Sequence, residues 1–479
     1  MHGVWRTAAV RRAEAELMRG LPPLALMHRA AAGLAATCTQ LLRAMPGKHA
    51  GAYGAHITVL AGPGDNGGDA LLAAERLIRQ GAQATAIAVM GERVHRQALR
   101  AFRDAGGRLA TTAPTHTDLL IDGIIGIGGR PGLPERAVQL LETIHPRLTV
   151  AVDVPSGVDV DTGAVPGPAV NADVTVTFGC RKPAHVLGDA ALRTGYLDLI
   201  DIGLGPYLEC EGYLQVPTLD DMIEQWPFPD ELDDKYTRGV VGIAAGSAEY
   251  PGAAILATAG ALSGPAGYVR YAGAAKAQVH NHHPEVVGTD SVATAGRTQS
   301  WLIGPGSGTG EATAHELKQV LARPVPAVLD ADAITLLAQS PHLLANREAP
   351  LVLTPHDREF ERLYGTAPGD RRAEAAMALA KRLHCTVLLK GHHTIVADSD
   401  GTVYVNPTGH PALATAGTGD VLAGLVASLL AAGIPAARAA MMGAFMHGMA
   451  ARAVASEIVS PVASQIAAEL PGTIGALND

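Results

Sequence analysis

Apolar and polar residues alternate along this chain in two rhythms. Short runs rich in Val, Ile, Leu and Ala stop at Gly, Asp or Pro and read as buried strands, whereas longer stretches with apolar residues three and four apart read as helices. In the first half the pattern predicts strands at His56–Ala61, Ala84–Met90, Asp118–Asp122, Leu148–Asp153 and Val174–Phe178, with helices over Asp69–Gln80 and Glu92–Ala105. The pattern restarts with strands at Gly239–Ala245, Gln299–Ile303, Ala327–Asp330, Leu351–Thr354 and Thr386–Lys390, and helices over Gly252–Ser263, Glu311–Leu321 and Gly419–Ala432. Such alternation predicts parallel sheets covered by helices on both faces, hence an α/β fold class with two three-layer α/β/α domains.

The stretch 209–234 breaks the rhythm. It holds Glu209, Glu211, Asp220, Asp221, the run Trp226-Pro-Phe-Pro229 and Asp233-Asp234, with nine acidic side chains and no basic one. Proline and charge without periodicity read as a linker or surface loop, which separates domains at 1–208 and 235–479. From roughly Ala455 onward the sequence reads as a weakly ordered tail.

Composition narrows the function classes. The net charge of −9 comes almost entirely from 209–234. The flanking regions are near neutral, so there is no basic footprint for nucleic acid. Cys38, Cys180, Cys210 and Cys385 are far apart and form no CxxC pair, which argues against a disulfide framework or zinc site and for a reducing compartment. No apolar h-region follows Arg6, Arg11 and Arg12, and the longest nearly apolar run, Val421–Ile434, is too short to span a bilayer. The expectation is a soluble cytoplasmic protein acting on a small molecule, with no nucleic-acid or membrane partner.

Ligands in open α/β sheets gather beyond the carboxyl ends of strands, and every candidate motif falls there. In the first half these are Gly62-Pro-Gly-Asp-Asn-Gly-Gly-Asp69, Asp122-Gly-Ile-Ile-Gly-Ile-Gly-Gly-Arg-Pro-Gly132, Val152-Asp-Val-Pro-Ser-Gly-Val-Asp159 and Thr177-Phe-Gly-Cys-Arg-Lys182. Glycines let backbone amides approach a ligand, and a helix N-terminus favours an anion. A plain Gly-rich βα turn would use the same residues. Asp153 ends a buried strand, where an unpaired carboxylate is costly.

Together GDNGGD, DGIIGIG, VDVPSGVD and TF…K resemble the NAD(P)H-hydrate epimerase family over roughly residues 8–205. The resemblance implies a Rossmann-like fold, with substrate held by Asp65, Asn66, Gly67, Gly68 and Asp69 and by Gly126, Ile127, Gly128, Gly129, Arg130, Pro131 and Gly132. It further implies a potassium ion on Asn66, Asp122 and Ser156, and Asp153 as the acid near the reacting carbon. Oxygen ligands of this kind suit a hard monovalent cation. Where the family has NNGGDG this chain reads Asp65-Asn-Gly-Gly-Asp-Ala70, and its LMExAG helix reads Leu26-Met-His-Arg-Ala-Ala31.

In the second half the strongest signal is Gly417-Thr-Gly-Asp420 at a helix start. Amides of the turn and the helix dipole form an anion hole, and Asp420 is placed to take a proton from an attacking hydroxyl. A helix capped by Thr418 with a first-turn Asp would read the same in isolation. Around it stand Gly246-Ser, Tyr250-Pro-Gly-Ala-Ala254, Ile303-Gly-Pro-Gly306, Leu329-Asp-Ala-Asp332, Leu353-Thr-Pro-His356 and Leu389-Lys-Gly-His-His-Thr394. The set resembles the ADP-dependent NAD(P)H-hydrate dehydratase family, within the ribokinase-like superfamily, from about Asp234 to His447. The resemblance implies that Ala253, Ala254, Gly306, His356 and Asp420 meet the hydrated nicotinamide nucleotide. It places Lys390, Gly391, His392, His393, Thr394, Gly417, Thr418 and Gly419 on the adenine nucleotide. It also implies ADP (or ATP) as phosphate donor, Mg²⁺, and a homo-oligomer. The family's TPHPGEF reads Thr354-Pro-His-Asp-Arg-Glu-Phe360, and its ATGGTGD reads Ala414-Thr-Ala-Gly-Thr-Gly-Asp420, where Ala416 preserves the turn unless that position needs φ > 0. The function implied is repair of hydrated NAD(P)H, by epimerisation in the first domain and phosphorylation-driven dehydration in the second. The competing expectation is a small-molecule kinase fused to a non-catalytic Rossmann-like domain.

Overall fold

The structure, a computed structural model, describes residues 1–45, 51–91, 93–209 and 212–478. It divides into two compact units, residues 3–214 and residues 215–479, with Met1 and His2 counted with the second. Glu92, Cys210 and Glu211 lie outside the described residues.

The first unit is built on seven parallel strands in the spatial order Arg108–Ala110, Gln83–Ala88, His56–Ala61, Leu119–Gly123, Leu148–Val152, Val174–Phe178 and Tyr196–Ile200. Every residue of Leu119–Gly123 and Val174–Phe178 is buried. Helices cover both faces, so both faces of these inner strands are buried, the polar Asp122, Thr175 and Thr177 included. Strand order reverses between His56–Ala61 and Leu119–Gly123, and the carboxyl ends of that pair carry the GDNGGD and DGIIGIG motifs. The helix expected from Asp69 begins at Asp65 instead and runs to Arg79. Gly67 and Gly68 belong to its first turns because they are packing positions: a Cβ on Gly67 would lie 2.2 Å from the Gly62 carbonyl oxygen, and one on Gly68 3.0 Å from Met27.

The second unit's sheet places parallel strands Leu351–Leu353, Ala327–Leu329, Ser300–Ile303, Val240–Ala244, Tyr268–Ala272 and Val287–Thr289 side by side. Thr386–Leu389 continues the parallel set, and Ile395–Ala397 and Val403–Val405 then add antiparallel strands. The order reverses between Val240–Ala244 and Ser300–Ile303, where Gly246 and Gly304-Pro-Gly306 stand.

Two expectations change. The segment read as an acidic linker contains the strand Leu214–Val216 and the helix Leu219–Gln225. Thr218 and Asp221 form a capping box at that helix, the N-terminal ammonium reaches Asp221 at 2.7 Å, and Met222 and Trp226 are buried in the core. The acids here cap and pair, so a run of charge does not exclude structure. The expected tail carries the helix Ala463–Gly475, which buries Ile466, Leu470 and Ile474 in the same core. Cys38, Cys180 and Cys385 are buried free thiols. Among the described residues, no helix is long and apolar enough to cross a membrane.

The helices Pro251–Ser263 and Thr418–Ala431 pack closely with their N-termini at the same end. A Cβ on Gly260 would lie 2.0 Å from the Val421 carbonyl oxygen, and one on Gly424 2.0 Å from that of Ala257. Gly424→Ala is therefore expected to destabilise the protein by about 1–3 kcal/mol through overpacking, although alanine is the better helix former. Urea unfolding measures this; equal or greater stability would contradict the packing described.

Candidate functional sites

In the first unit Asp122 is fully buried at the end of its strand. Its Oδ2 accepts from the Ser156 amide at 2.8 Å, and its Oδ1 accepts from Ser156 Oγ at 2.6 Å and the Ile124 amide at 3.2 Å. All these donors are neutral, and burial pushes the carboxyl up to about 6. Asn66 Nδ2 donates to the Val152 carbonyl at 2.6 Å. Its side-chain oxygen lies against Gly126, where a Cβ would come within 2.1 Å of it. Asn66, Asp122 and Ser156 are thus gathered around the Ile124–Gly126 turn. Among the described residues no cluster of three or more His, Cys, Asp or Glu side chains could hold a metal. One buried carboxylate among neutral oxygens fits a hard monovalent cation instead.

Asp153 sits at φ +68°, a left-handed conformation costly for a residue with a Cβ. The turn is pinned at both ends of the residue. Lys182 Nζ donates to Asp153 Oδ1 at 2.6 Å, Thr177 Oγ1 donates to the same oxygen at 2.9 Å, and His185 Nε2 meets the Asp153 carbonyl at 2.7 Å. His185 Nδ1 accepts from the Lys182 amide at 3.0 Å, which assigns the proton to Nε2. Burial lowers the imidazole to about 4, so the ring is neutral. For Asp153, burial is the largest single influence and would raise the carboxyl, but the charge and hydrogen bond of Lys182, with His185 and the Thr177 hydroxyl, together bring the net direction down. Sequence reading placed Lys182 in a motif without a role; it is the buried counter-ion of Asp153, 29 positions away in the chain. No local periodicity signals that pairing.

A cleft of ≈ 1140 Å³ is lined by Asp65, Asn66 and the whole stretch Gly126–Gly132, together with Arg11 and Glu14. A second cavity of ≈ 400 Å³ is lined by Asp69, Met27 and Phe178 and shares Glu14, Met18 and Asp65 with the first. Gly67, Gly68 and Asp153 line neither. Glu14, from the unanticipated helix Thr7–Met18, and Asp69 are both raised, chiefly by burial, and both feel the charge of Asp153. Asp69 Oδ1 is buried without a hydrogen-bond partner. His28, where the family has an acid, is exposed and lines neither cavity, and Ala70 is core.

In the second unit Gly417 takes φ +90° as the N-cap of Thr418–Ala431, while Ala416 is not in the positive-φ region. The turn therefore needs glycine only at 417. Thr418 does not cap: its Oγ1 lies 2.8 Å from the Leu413 carbonyl and 3.0 Å from that of Thr415. Lys390 Nζ donates to Asp330 Oδ1 at 2.7 Å, and that oxygen also accepts from Thr354 Oγ1 at 2.7 Å. The ammonium lies against Gly419, where a Cβ would stand 3.3 Å from Nζ. Burial opposes its charge, but Asp330 and Glu359 outweigh that and raise its pKa. Asp420 is raised to about 7, first by burial, then by the charge of Asp330, with Lys390 opposing. A carboxyl tuned there can take and return a proton near neutral pH.

His356 proves to be a helix cap: its Nδ1 accepts from the amides of Arg358 and Glu359 at 3.1 and 3.3 Å. Its Nε2 stands 3.4 Å from Glu359 Oε1 and the side chain is half exposed, which leaves that nitrogen for a ligand. Gly306 packs against Ala253, whose Cβ would lie 2.7 Å from one added at Gly306, and Gly246 likewise against Ala254. A cavity of ≈ 480 Å³ is lined by Lys390, Gly391, His392, Thr394, Thr418 and Gly419; Gly417 and His393 are not part of its wall.

Two α/β sheets, each with glycine turns at its switch point and buried carboxylates at the ends of inner strands, define a two-domain enzyme, one of whose domains has the ribokinase-like site. Family models agree: one described as NAD(P)H-hydrate dehydratase matches residues 241–471, and one described as YjeF-related protein N-terminus matches residues 23–184. The bifunctional NAD(P)H-hydrate repair enzyme Nnr of Mycobacterium tuberculosis is 47% identical over 435 residues, 90% of each chain. The enzyme of that name from Corynebacterium glutamicum is 37% identical over 453 residues, covering 78% of each. The crystal structure of ADP/ATP-dependent NAD(P)H-hydrate dehydratase from Bacillus subtilis, co-crystallised with ATP/Mg²⁺, matches 54% of this chain and 97% of its own, with 29% identity and a TM-score of 0.50. This chain belongs to the family of bifunctional NAD(P)H-hydrate repair enzymes.

The Asp153–Lys182 pair gives a stability test. Lys182→Met leaves a carboxylate buried without its counter-ion and is expected to cost about 3–5 kcal/mol in denaturant unfolding. The double variant Asp153→Asn/Lys182→Met should recover part of that loss. Additive losses would mean that the two groups do not depend on each other.

Proposed function

We propose that this chain repairs hydrated NAD(P)H. The first unit interconverts the R and S epimers, and the second dehydrates the S epimer to NAD(P)H at the expense of ADP or ATP. The observation that carries the reading is Asp420, raised to about 7 at the mouth of a glycine turn and beside Lys390.

The damaged ring bears a hydroxyl on carbon 6, and hydroxide is a poor leaving group. Asp420 takes the hydroxyl proton as that oxygen attacks the terminal phosphorus of the nucleotide. The bond from phosphorus to the nucleotide breaks, so AMP leaves when ADP is the donor. The amides of Gly417–Gly419 and the Lys390 ammonium face the charge that develops on the phosphoryl oxygens. The ester then departs as inorganic phosphate, pushed by the ring nitrogen, and loss of a proton from carbon 5 restores NAD(P)H.

Asp330, Glu359 and Asp420 outnumber the single Lys390 around this turn, a balance that fits a divalent cation arriving with the phosphates. Mg²⁺ held there by Glu359 and the donor's phosphates would supply charge neutralisation and leave Asp420 as the base. In the first unit Asn66, Asp122 and Ser156 would hold K⁺, a positive charge for a carboxylate that otherwise has only neutral partners. A homo-oligomeric assembly and a cytoplasmic location belong to the same proposal.

Inorganic phosphate should appear in equal amount to NADH when NADHX, ADP and Mg²⁺ are supplied; a stable phosphorylated product would instead favour the kinase reading. Asp420→Asn should lower turnover by about 10²- to 10⁴-fold. A base must be ionised to act, so the wild-type rate should rise with pH through about 7. A rate flat from pH 5 to 8, or full turnover by the variant, would remove Asp420 from this role.

A further inference from the structure

His447 lies on the helix Ala436–Glu457, whose buried residues are mostly Ala, Gly and Met. It is 3% exposed, and its Nε2 is enclosed without a hydrogen-bond partner. Burial holds the imidazole down at about 4, so the ring is neutral, with one donor and one acceptor nitrogen. A buried polar group left unpaired is a cost that a leucine in the same place would not carry. What the ring does instead is line the ≈ 480 Å³ cavity that also holds Lys390 and Gly419.

The wall of that cavity has a polar and an apolar part. Lys390, Thr418 and Gly419 make the cationic, amide-rich part suited to phosphates. Leu422, one helical turn or about 6 Å beyond Thr418, belongs to the apolar part of the wall with Leu413 and Ala444. Asn406, which lines the cavity near Ala444, has committed its amide: Nδ2 donates to the Ala444 carbonyl at 3.1 Å, and Oδ1 accepts from the Thr408 amide and hydroxyl. His410 Nδ1 likewise accepts from the Ala412 amide. His447 retains its capacity. No hydrogen bond holds the ring at Nε2.

We infer that His447, which lines this cavity three residues after Ala444 on the same helix, hydrogen-bonds the base of the phosphate donor. An apolar slot with one neutral group that can donate or accept suits a purine, whose edge offers ring-nitrogen acceptors and, in adenine, an amino donor. This rests on reading the cavity as the nucleotide site.

The test compares a ligand with a base and one without. Calorimetric titration of the full chain with ADP and with inorganic pyrophosphate should separate them. In His447→Leu the ADP dissociation constant should rise about three- to tenfold, as for one lost hydrogen bond, and that of pyrophosphate should not change. His447→Gln, which keeps a donor and an acceptor, should restore part of the ADP affinity, and it serves as the measurement should the leucine variant not fold. Equal weakening toward both ligands, or unchanged ADP binding, would overturn the assignment of His447 alone. A wild-type chain that binds pyrophosphate no more weakly than ADP would overturn the nucleotide reading of the cavity as well.

Discussion

A carboxylate removed from water must find a positive charge, gather hydrogen bonds or take up a proton, and both units of this protein are arranged around that constraint. Each ends inner strands of a parallel sheet with an aspartate that packing keeps dry. Asp153 and Asp330 are answered by lysines, Lys182 and Lys390. Asp122 has only neutral donors and is raised to about 6. Asp420 has Lys390 near but Asp330 nearer in effect, and is raised to about 7. The same cost therefore yields different groups: two carboxylates paired with lysines, one in want of a cation, and one able to exchange a proton.

The backbone supports this division. In both sheets the strand order reverses at the pair whose carboxyl ends carry glycine turns, which opens room for a ligand without removing core. In the second unit the helices that begin at Pro251 and Thr418 run close because Gly260 and Gly424 let backbone meet backbone. Their N-termini stand at one end, and the turn before Thr418 presents its amides there. Two of the four non-glycine residues at positive φ among the described residues are at these strand ends: Asp153 itself, and Ala331 next to Asp330.

Much of this was legible in the sequence. The strands His56–Ala61 and Val174–Phe178 and the helix Glu311–Leu321 fall where the apolar rhythm places them. Of the three residues that the family resemblance assigned to a cation, Asp122 and Ser156 hydrogen-bond each other, and Asn66 lies against Gly126 of the same turn. Partnerships across the chain were not legible: nothing near Asp153 announces Lys182, and nothing near Asp420 announces the charge of Asp330. The acidic stretch and the C-terminal segment misled for a related reason. Charge is visible locally, whereas the burial of Met222, Trp226 and Ile466 depends on surfaces supplied from elsewhere in the unit. His356 reads as a ligand in its motif and turns out to serve as a cap as well.

The most direct test of the central claim is the fraction of NADH recovered from an epimer mixture of NADHX by the purified chain with ADP, Mg²⁺ and K⁺, followed by absorbance of the reduced nicotinamide. Two working sites predict complete recovery, faster than spontaneous epimerisation allows for the second half of the signal. Recovery that stops at the S epimer's share would contradict the function given to the first unit, and no recovery with either ADP or ATP would contradict the function given to the second.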